Sequence, residues 1–481
     1  MNGASCLRRT LLVGAALGCA RPVPAPPMPQ APPIDTLVLR AHTSFLAHDL
    51  LEGRGTGERG AAVAAAYITA QCRGLGLTPL GGAFLLNVPL EAATVRRNET
   101  VLTIVHGADT AAFRPGDGFV VAGGRPAALA SFRGRPVYLG TADEVRQAGD
   151  TLPDLSGRVA VTGGVLRADL AERLAARGAA GLVQLTAEPE GYARYRASRG
   201  NALTLLADSS VPSSFHPSIP AVILAPHVAP VLAAAIRDGG SLDVRLAFDR
   251  RPISAWNVAC VLPGRDSHAA DTLIALTAHY DHLGISVPDE RGDSIYNGFS
   301  DDAAGVAMLF AVARAVRSSS GGLRHGLALL FFTGEERGLL GSDYFVARPP
   351  VPLTRFRAVV NLDAGAPPAR PWNWRVAGGE GTPLGATATD VASSRGWAAT
   401  TSPPSANSDY FPFLRSGVPA VFLVPGTGPY EGLSADSSQA LRRRWDRYHQ
   451  AGDEYDDAFP FAGLQRYAEY ALLLVQALDR R

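Results

Sequence analysis

The sequence predicts an α/β protein, in which a mixed, largely parallel sheet is sandwiched by helices and a smaller β-rich unit is inserted into the chain. Residues 250–481 alternate short apolar runs with helical segments, an order typical of parallel strands covered on both faces. Residues 112–249 instead carry short β-branched runs separated by glycine and proline. The chain has 481 residues, of which 47% are hydrophobic, so it is long enough for more than one domain.

The individual elements follow from the same patterns. Residues 34–111 are assigned to the first part of the main domain. Within them, residues 60–73 are alanine-rich and are predicted to form a helix that ends at Gly74 and Gly76. The inserted unit, residues 112–249, is predicted to contain strands at 137–139, 159–161, 181–185, 221–224 and 242–248 and helices at 167–177 and 227–236. The main domain, residues 250–481, is predicted to contain strands at 272–278, 326–333, 357–362 and 420–424 and helices at 303–317, 339–347 and 464–478.

The N-terminal residues are predicted to be a targeting segment. Residues 1–19 contain two arginines followed by an apolar stretch that is too short to cross a bilayer, as in a signal peptide. They end at Cys19 in a sequence that resembles a bacterial lipoprotein box, and ordinary secretion is the alternative. Residues 20–33 are a proline-rich linker. We therefore expect an exported protein, either anchored in the bacterial cell envelope by lipid on Cys19 or secreted.

The composition excludes several classes of protein. A formal net charge of +1 gives no general attraction to nucleic acid. The sequence contains no lysine, which excludes a phosphate-binding P-loop and a Schiff-base lysine. Outside the targeting segment the only cysteines are Cys72 and Cys260. One disulfide between them is conceivable in an oxidising envelope, but we predict two buried thiols.

Chemically active side chains follow the predicted strands of the main domain. Strands of a parallel sheet end at one edge, so residues that directly follow them are expected to lie close together. The residues that follow strands are His279, Asp281, Glu335, Glu336 and Asp363, while Asp301 begins a predicted helix and His449 lies in YHQAGDEYD. Each acid alone has an ordinary explanation, such as capping a helix or lying in its first turn. Their recurrence at successive strand ends favours a functional site.

The residue types in this set indicate a metal centre. Imidazole and carboxylate ligands without cysteine suit catalytic zinc, and two histidines with at least three carboxylates exceed the needs of one ion. The set therefore predicts two metal ions that share a carboxylate. The adjacent Glu335 and Glu336 point in different directions, so that one can bind metal and the other can act as a general base.

Several motifs resemble one known family. The strings AHYDHLG, NGFSDDAAG, FTGEERGLLGS, VNLD, SDYFPF and YHQAGDEYD occur in that order within residues 257–477. They resemble the di-zinc aminopeptidase family, which includes bacterial secreted aminopeptidases, aminopeptidase Y, and relatives of glutamate carboxypeptidase and glutaminyl cyclase. Residues 112–249 resemble the protease-associated domain that is often inserted in this family.

The resemblance implies a role for each site residue. It implies two zinc ions per chain with Asp301 shared, and the metal ligands His279, Asp301, Glu336, Asp363 and His449. It also implies that Glu335 is the general base, that the carboxylate of Asp281 orients His279, and that Tyr448 supports the oxyanion. Ser300 stands where the family usually has an acid.

The function implied is a zinc-dependent aminopeptidase that acts on the N-termini of peptides or proteins and binds no nucleic acid. A carboxypeptidase or a glutaminyl-cyclase-like enzyme on the same scaffold is the main alternative. A non-catalytic receptor is a third reading, although receptors of that kind lose metal ligands and none is missing here. Arginines near the metals would favour a carboxypeptidase, because they could bind the substrate's carboxylate.

Overall fold

The computed structural model describes residues 33–480, apart from residues 124–128, 167, 187, 200–201, 268, 270 and 320. The predicted signal peptide with Cys19, and all of the proline-rich linker except Pro33, lie outside the described residues. No helix in the described part of the chain combines the length and the apolar character needed to cross a membrane.

The elements are numbered here in chain order. The helices are α1 (Thr36–Leu46), α2 (Arg59–Gly74), α3 (Ala142–Ala148), α4 (Ala168–Ala176), α5 (Pro189–Arg199), α6 (Ala229–Arg237), α7 (Ala304–Ser318), α8 (Leu340–Ala347), α9 (Pro383–Ser394), α10 (Tyr410–Arg415), α11 (Ala435–Trp445) and α12 (Ala462–Arg480). The strands are β1 (Thr78–Pro79), β2 (Leu85–Val95), β3 (Val101–His106), β4 (Asp109–Phe113), β5 (Phe119–Gly123), β6 (Phe132–Thr141), β7 (Arg158–Gly163), β8 (Gly181–Leu185), β9 (Ala202–Leu206), β10 (Ala221–Leu224), β11 (Ser241–Arg245), β12 (Phe248–Leu262), β13 (Leu273–His279), β14 (Gly284–Ile285), β15 (Ile295–Tyr296), β16 (Gly326–Phe332), β17 (Phe356–Asn361), β18 (Asn373–Ala377), β19 (Ala398–Ser402) and β20 (Ala420–Pro425).

The larger sheet is mixed, with a parallel centre. Its strand order is β19-β18-β20-β17-β13-β16-β12-β2-β9, and β1 pairs with β12. The central strands β20, β17, β13 and β16 are parallel, whereas β12, β2 and β9 continue the sheet in antiparallel order. Every residue of β13 and β16 is buried, as expected for strands covered on both faces. The predicted fold class is therefore confirmed.

Helices cover the central strands on both faces. Alternate residues of β13, Leu273 and Ala275, share a hydrophobic cluster with Phe345 of α8 and Phe413 of α10. Because side chains alternate along a strand, the residues between them face the other side of the sheet, where α7 contacts β13 and packs against α1 and α12. This arrangement leaves the carboxyl ends of the parallel strands as an open edge.

The smaller sheet is formed by β4-β3-β11-β6-β7-β8-β10-β5 and has its own hydrophobic core. It begins at Val101, so the boundary predicted at residue 112 lies too late in the chain, because the hairpin β3–β4 pairs with β11. Strand β9 falls inside the predicted insertion, but it pairs with β2 in the larger sheet. Assignment of this unit as a protease-associated domain stays a prediction.

The two cysteines among the described residues form a disulfide. Cys72 at the end of α2 is bonded to Cys260 in β12, with Cα atoms 6.5 Å apart. The prediction of two buried thiols was therefore wrong. The two residues are separated by 188 positions in the sequence, and only the packing of α2 against β12 brings them together.

Candidate metal centre

Four of the predicted site residues lie at the carboxyl ends of three neighbouring strands, at one edge of the larger sheet. His279 is the last residue of β13, Glu335 and Glu336 follow β16, and Asp363 follows β17. Because β17, β13 and β16 are adjacent and parallel, their carboxyl ends lie side by side. The residues that the sequence placed after separate strands thus meet in space.

Asp301 lies between two groups of potential ligands. Its Oδ1 is 3.0 Å from Nε2 of His279, which is also 3.1 Å from Oδ1 of Asp363. Its Oδ2 is 3.0 Å from Nε2 of His449, which is also 3.2 Å from Oε2 of Glu336. We call His279 with Asp363 the first ligand group and His449 with Glu336 the second. Each oxygen of the Asp301 carboxylate therefore contacts a different ligand group. The structure brings together all five predicted ligands.

The turn that contains Asp301 is stabilised by hydrogen bonds to Asp453, which is not one of the predicted ligands. Residues Phe299–Ala303 form one π-helical turn before α7, and the peptide bond between Asp301 and Asp302 is cis. The carboxylate of Asp453 accepts hydrogen bonds from the backbone N–H groups of Ser300 and Asp301 and from Oγ of Ser300. Asp302 accepts a hydrogen bond at 2.8 Å from the N–H of Gly305 in the first turn of α7. Asp301 is therefore left to face the centre.

The orientation of His279 is set by a backbone group. Its Nδ1 lies 2.9 Å from the carbonyl oxygen of Asp281, whereas the nearest carboxylate oxygen of Asp281 is 3.8 Å away. With Nδ1 as the donor, the lone pair of Nε2 faces Asp301 and Asp363. The predicted route through the Asp281 carboxylate is therefore corrected. That carboxylate instead accepts hydrogen bonds from Thr56 Oγ1 at 2.6 Å and from Glu335 N–H at 3.3 Å.

His282 is a sixth side chain at the centre, and the sequence analysis did not select it. It is fully buried, and its Nδ1 lies 2.6 Å from Oε1 of Glu336 and 3.7 Å from Oδ2 of Asp301. His282, Asp301 and Glu336 could hold a metal ion together, as could His279, Asp301 and Asp363. The available signal was the second histidine of the string AHYDHLG.

Arg54 is a second residue that the sequence analysis missed. It is fully buried, and its guanidinium donates hydrogen bonds to the carbonyl oxygens of Leu46, Tyr280, Asn297 and Gly298 at 2.5–2.9 Å. Burial lowers its pKa to about 10, so it stays charged at neutral pH, and the nearby carboxylates of Asp453 and Asp301 counteract this shift. Arg54 thereby ties the loop after His279 to the loop before Asp301.

The predicted catalytic residues flank the two ligand groups. Glu335 belongs to neither group and lines a cavity of about 340 Å³ together with Tyr448. The side chain of Tyr448 is 62% exposed, and its ring stacks on the imidazole of His449 with centroids 3.8 Å apart. Tyr448 also borders a second cavity of about 410 Å³ that includes Asp301 and Asp363. Both cavities open beside the centre.

The electrostatics of the centre favour a bound cation. Burial raises the pKa of Asp302 and of Glu335 well above their usual values, and the negative charge of Asp363 raises both further. Burial also raises the pKa of Asp363 itself and lifts that of Asp409 to about 8. A dication among these carboxylates would offset both their desolvation and their mutual repulsion.

The polar atoms of the centre also fit a metal. Among the described residues, both ring nitrogens of His282, Oδ2 of Asp301 and Oε1 of Glu336 are buried without a hydrogen bond of acceptable geometry. Buried polar atoms normally have partners, and a metal ion would be a suitable partner for these nitrogen and oxygen atoms. Imidazole and carboxylate donors without thiolate suit zinc in a catalytic role.

The fold and this site define an α/β protein with a candidate metal centre at the carboxyl ends of its parallel strands. Residues 257–475 match the model of peptidase family M28. The match covers all the residues of the two ligand groups. It confirms the resemblance to the di-zinc aminopeptidase family.

One relative is similar to this chain in sequence, and one solved structure is similar to it in fold. The chain is 26% identical over 242 residues to a probable leucine aminopeptidase 2 of Aspergillus oryzae, and the match covers 47% of this chain and 44% of that relative. The chain thus spans less than half the length of this curated relative. The solved structure of an aminopeptidase from Aneurinibacillus sp. strain AM-1 has a TM-score of 0.55 at 18% identity, covering 92% of this chain and 93% of that one. It shares the fold across nearly the whole chain.

Proposed function

We propose that the protein is a zinc-dependent aminopeptidase that hydrolyses the first peptide bond of peptides and carries two zinc ions per chain. The observation that carries this proposal is the placement of Asp301 between two imidazole–carboxylate groups, with Glu335 beside them but outside both. His279 and Asp363 would hold one ion, Glu336 and His449 the other, and Asp301 both. The match of residues 257–475 to peptidase family M28 and a relative named as a probable leucine aminopeptidase support the reaction class.

The chain's own residues supply the proton transfer and the positioning. Zinc at such a site acts as a Lewis acid and lowers the pKa of bound water. Glu335 accepts a proton from the attacking water and passes it to the leaving amine. The Asp281 carboxylate holds the backbone of Glu335, and the hydroxyl of Tyr448 is the donor proposed for the developing oxyanion.

The charge around the centre favours a free α-amine over a carboxylate. The acids of the centre attract an ammonium group: Asp281, Asp301 and Asp302 are buried, and Glu335, Glu336 and Asp363 are partly exposed. A carboxypeptidase would need an available arginine, but Arg54 is bonded to backbone carbonyls. Arg442 borders the cavity beside Asp363, but its guanidinium pairs with Asp446 at 3.2 Å. Arg337 also lines the cavity beside Glu335, so a carboxypeptidase stays the alternative that the substrate comparison tests.

We expect the purified protein to cleave leucyl-p-nitroanilide and to leave N-acetyl-leucyl-p-nitroanilide intact. Acetylation removes the positive charge that the acidic centre attracts, while the scissile bond stays the same. The measurement is the release of p-nitroaniline from each compound at equal concentration. Equal cleavage of both compounds, or release of residues only from the carboxyl end of a peptide, would contradict the aminopeptidase assignment.

We expect about two zinc ions per chain, because two separate ligand groups are present and only one carboxylate is shared. Elemental analysis after gel filtration measures the count. The ligands come together only in the folded state, so removing zinc with a chelator should lower the midpoint of thermal unfolding by several degrees, and adding zinc should restore it. Retention of no more than one tightly bound ion would contradict the two-ion proposal.

A further inference from the structure

One segment from outside the catalytic edge reaches the cavity beside Glu335. Residues 207–220 connect β9 of the larger sheet to β10 of the smaller sheet and contain neither helix nor strand. Phe215, in the middle of this connection, is 44% exposed although it is a large apolar side chain. It lines the 340 Å³ cavity together with Leu203, Glu335 and Tyr448. A substrate bound in this cavity would therefore contact Phe215.

The connection is fixed to the peptidase half by buried polar contacts. Ser214 donates hydrogen bonds from its N–H and its Oγ to the buried carboxylate of Asp343 in α8, at 2.6 and 2.7 Å. Arg415 donates to the same carboxylate at 2.9 Å and to Ser214 Oγ at 3.1 Å. Two residues further on, Nε2 of His216 lies 2.8 Å from the carbonyl oxygen of Arg337. Phe215 is therefore held between two anchored neighbours.

Phe215 also packs directly on the loop that carries the general base. The backbone of Gly338, three residues after Glu335, has a φ of 102°, and a Cβ atom there would lie 2.6 Å from Cβ of Phe215. Glycine is thus required for this close approach, both for its backbone conformation and for the absence of a side chain. The ring of Phe215 consequently has a defined place beside Glu335.

The proton transfer determines which substrate residue lies on this side. In peptide hydrolysis the water oxygen bonds to the carbonyl carbon, the C–N bond breaks, and one proton of the water goes to the leaving nitrogen. When one carboxylate accepts that proton and then delivers it, the leaving nitrogen must approach the same carboxylate. The residue after the scissile bond therefore lies on the Glu335 side, and the cavity beside Asp301 and Asp363 remains for the N-terminal residue.

We infer that Phe215 forms the apolar wall of the subsite for the second residue of the substrate, so that peptides with a bulky apolar second residue are preferred. This inference rests on the proposed aminopeptidase function and on the role of Glu335 in it. It makes Phe215 a specificity-determining residue that the inserted part of the chain contributes. Its ring acts by contact with the leaving residue and takes no part in proton transfer.

The test compares leucyl-phenylalanine amide with leucyl-glycine amide in the zinc-loaded full chain. We expect Phe215→Ala to lower kcat/KM for the phenylalanine substrate by about 10- to 100-fold, mainly through KM, and to change the glycine substrate less than about 2-fold. Phe215→Leu should recover part of the loss, because it restores an apolar wall. Tyr138→Ala, which removes a half-exposed ring from β6 of the smaller sheet, should leave both substrates unchanged.

The outcomes separate this inference from the proposed function. If the wild-type protein releases leucine but Phe215→Ala affects both substrates equally or neither, the inference is wrong and the aminopeptidase proposal stands. If the zinc-loaded wild type releases leucine from neither substrate, the proposed function fails and the inference fails with it. Thermal unfolding of each variant checks that the half-exposed position has not disturbed the fold.

Discussion

Replacing Glu335 with glutamine is expected to lower kcat by roughly 10²–10⁴-fold while the zinc content stays the same. Glutamine keeps the size and the hydrogen-bonding shape of glutamate, but it cannot accept a proton. Glu335 lies outside both ligand groups, and its backbone N–H is held by Asp281, so the substitution leaves the metal ligands in place. The measurement pairs steady-state kinetics on leucyl-p-nitroanilide with elemental analysis of the same sample.

A matched control is Glu99→Gln, which makes the same chemical change at an exposed glutamate that pairs with Arg96. This control should keep both activity and zinc. Loss of zinc together with activity in the Glu335 variant would instead show that Glu335 is a ligand, and would reverse the roles of Glu335 and Glu336. Unchanged kcat would remove Glu335 from the proposed mechanism.

Replacing Asp301 with asparagine is expected to reduce the zinc content to less than one ion per chain and to lower activity by on the order of 10³-fold or more. The two oxygens of Asp301 face different ligand groups, at 3.0 Å from His279 and 3.0 Å from His449. An amide has one acceptor oxygen and no charge, so it cannot serve both groups. Elemental analysis and kcat measure the two effects.

Asp363→Asn is the informative comparison for this variant. Asp363 contacts His279, and its other oxygen accepts a hydrogen bond from Ser408, so it belongs to one ligand group only. The second group, with Glu336 and His449, keeps all its members. We expect this variant to retain about one zinc ion. Retention of two ions by the Asp301 variant would contradict its shared position.

Local patterns were sufficient for many elements of the fold. Strands 181–185 and 221–224 were predicted with the bounds that the structure has, because each is a compact apolar run between turn residues. The long strand β12 was missed over most of its length, since its first residues include Arg250, Arg251 and Pro252. Its pairing with β2, more than 150 residues earlier, is a tertiary interaction that overrides the local preference.

By itself, the sequence determined which edge of the sheet carries the centre. Residues directly after parallel strands must meet at one edge, so the positions of His279, Glu335, Glu336 and Asp363 followed from their places in the chain. Asp301 and His449 were already in the same candidate set, and the family motifs implied their roles as ligands. These predictions needed only the order of elements along the chain.

Only the tertiary structure decided the contacts between segments that are far apart in the chain. The approach of His282 to Glu336, the disulfide between Cys72 and Cys260, and the position of Phe215 on Gly338 depend on how whole elements pack. The same holds for Asp281, whose carboxylate holds Thr56 rather than His279. A local pattern reports which face of an element is buried, but it carries no information about which distant side chain will meet that face.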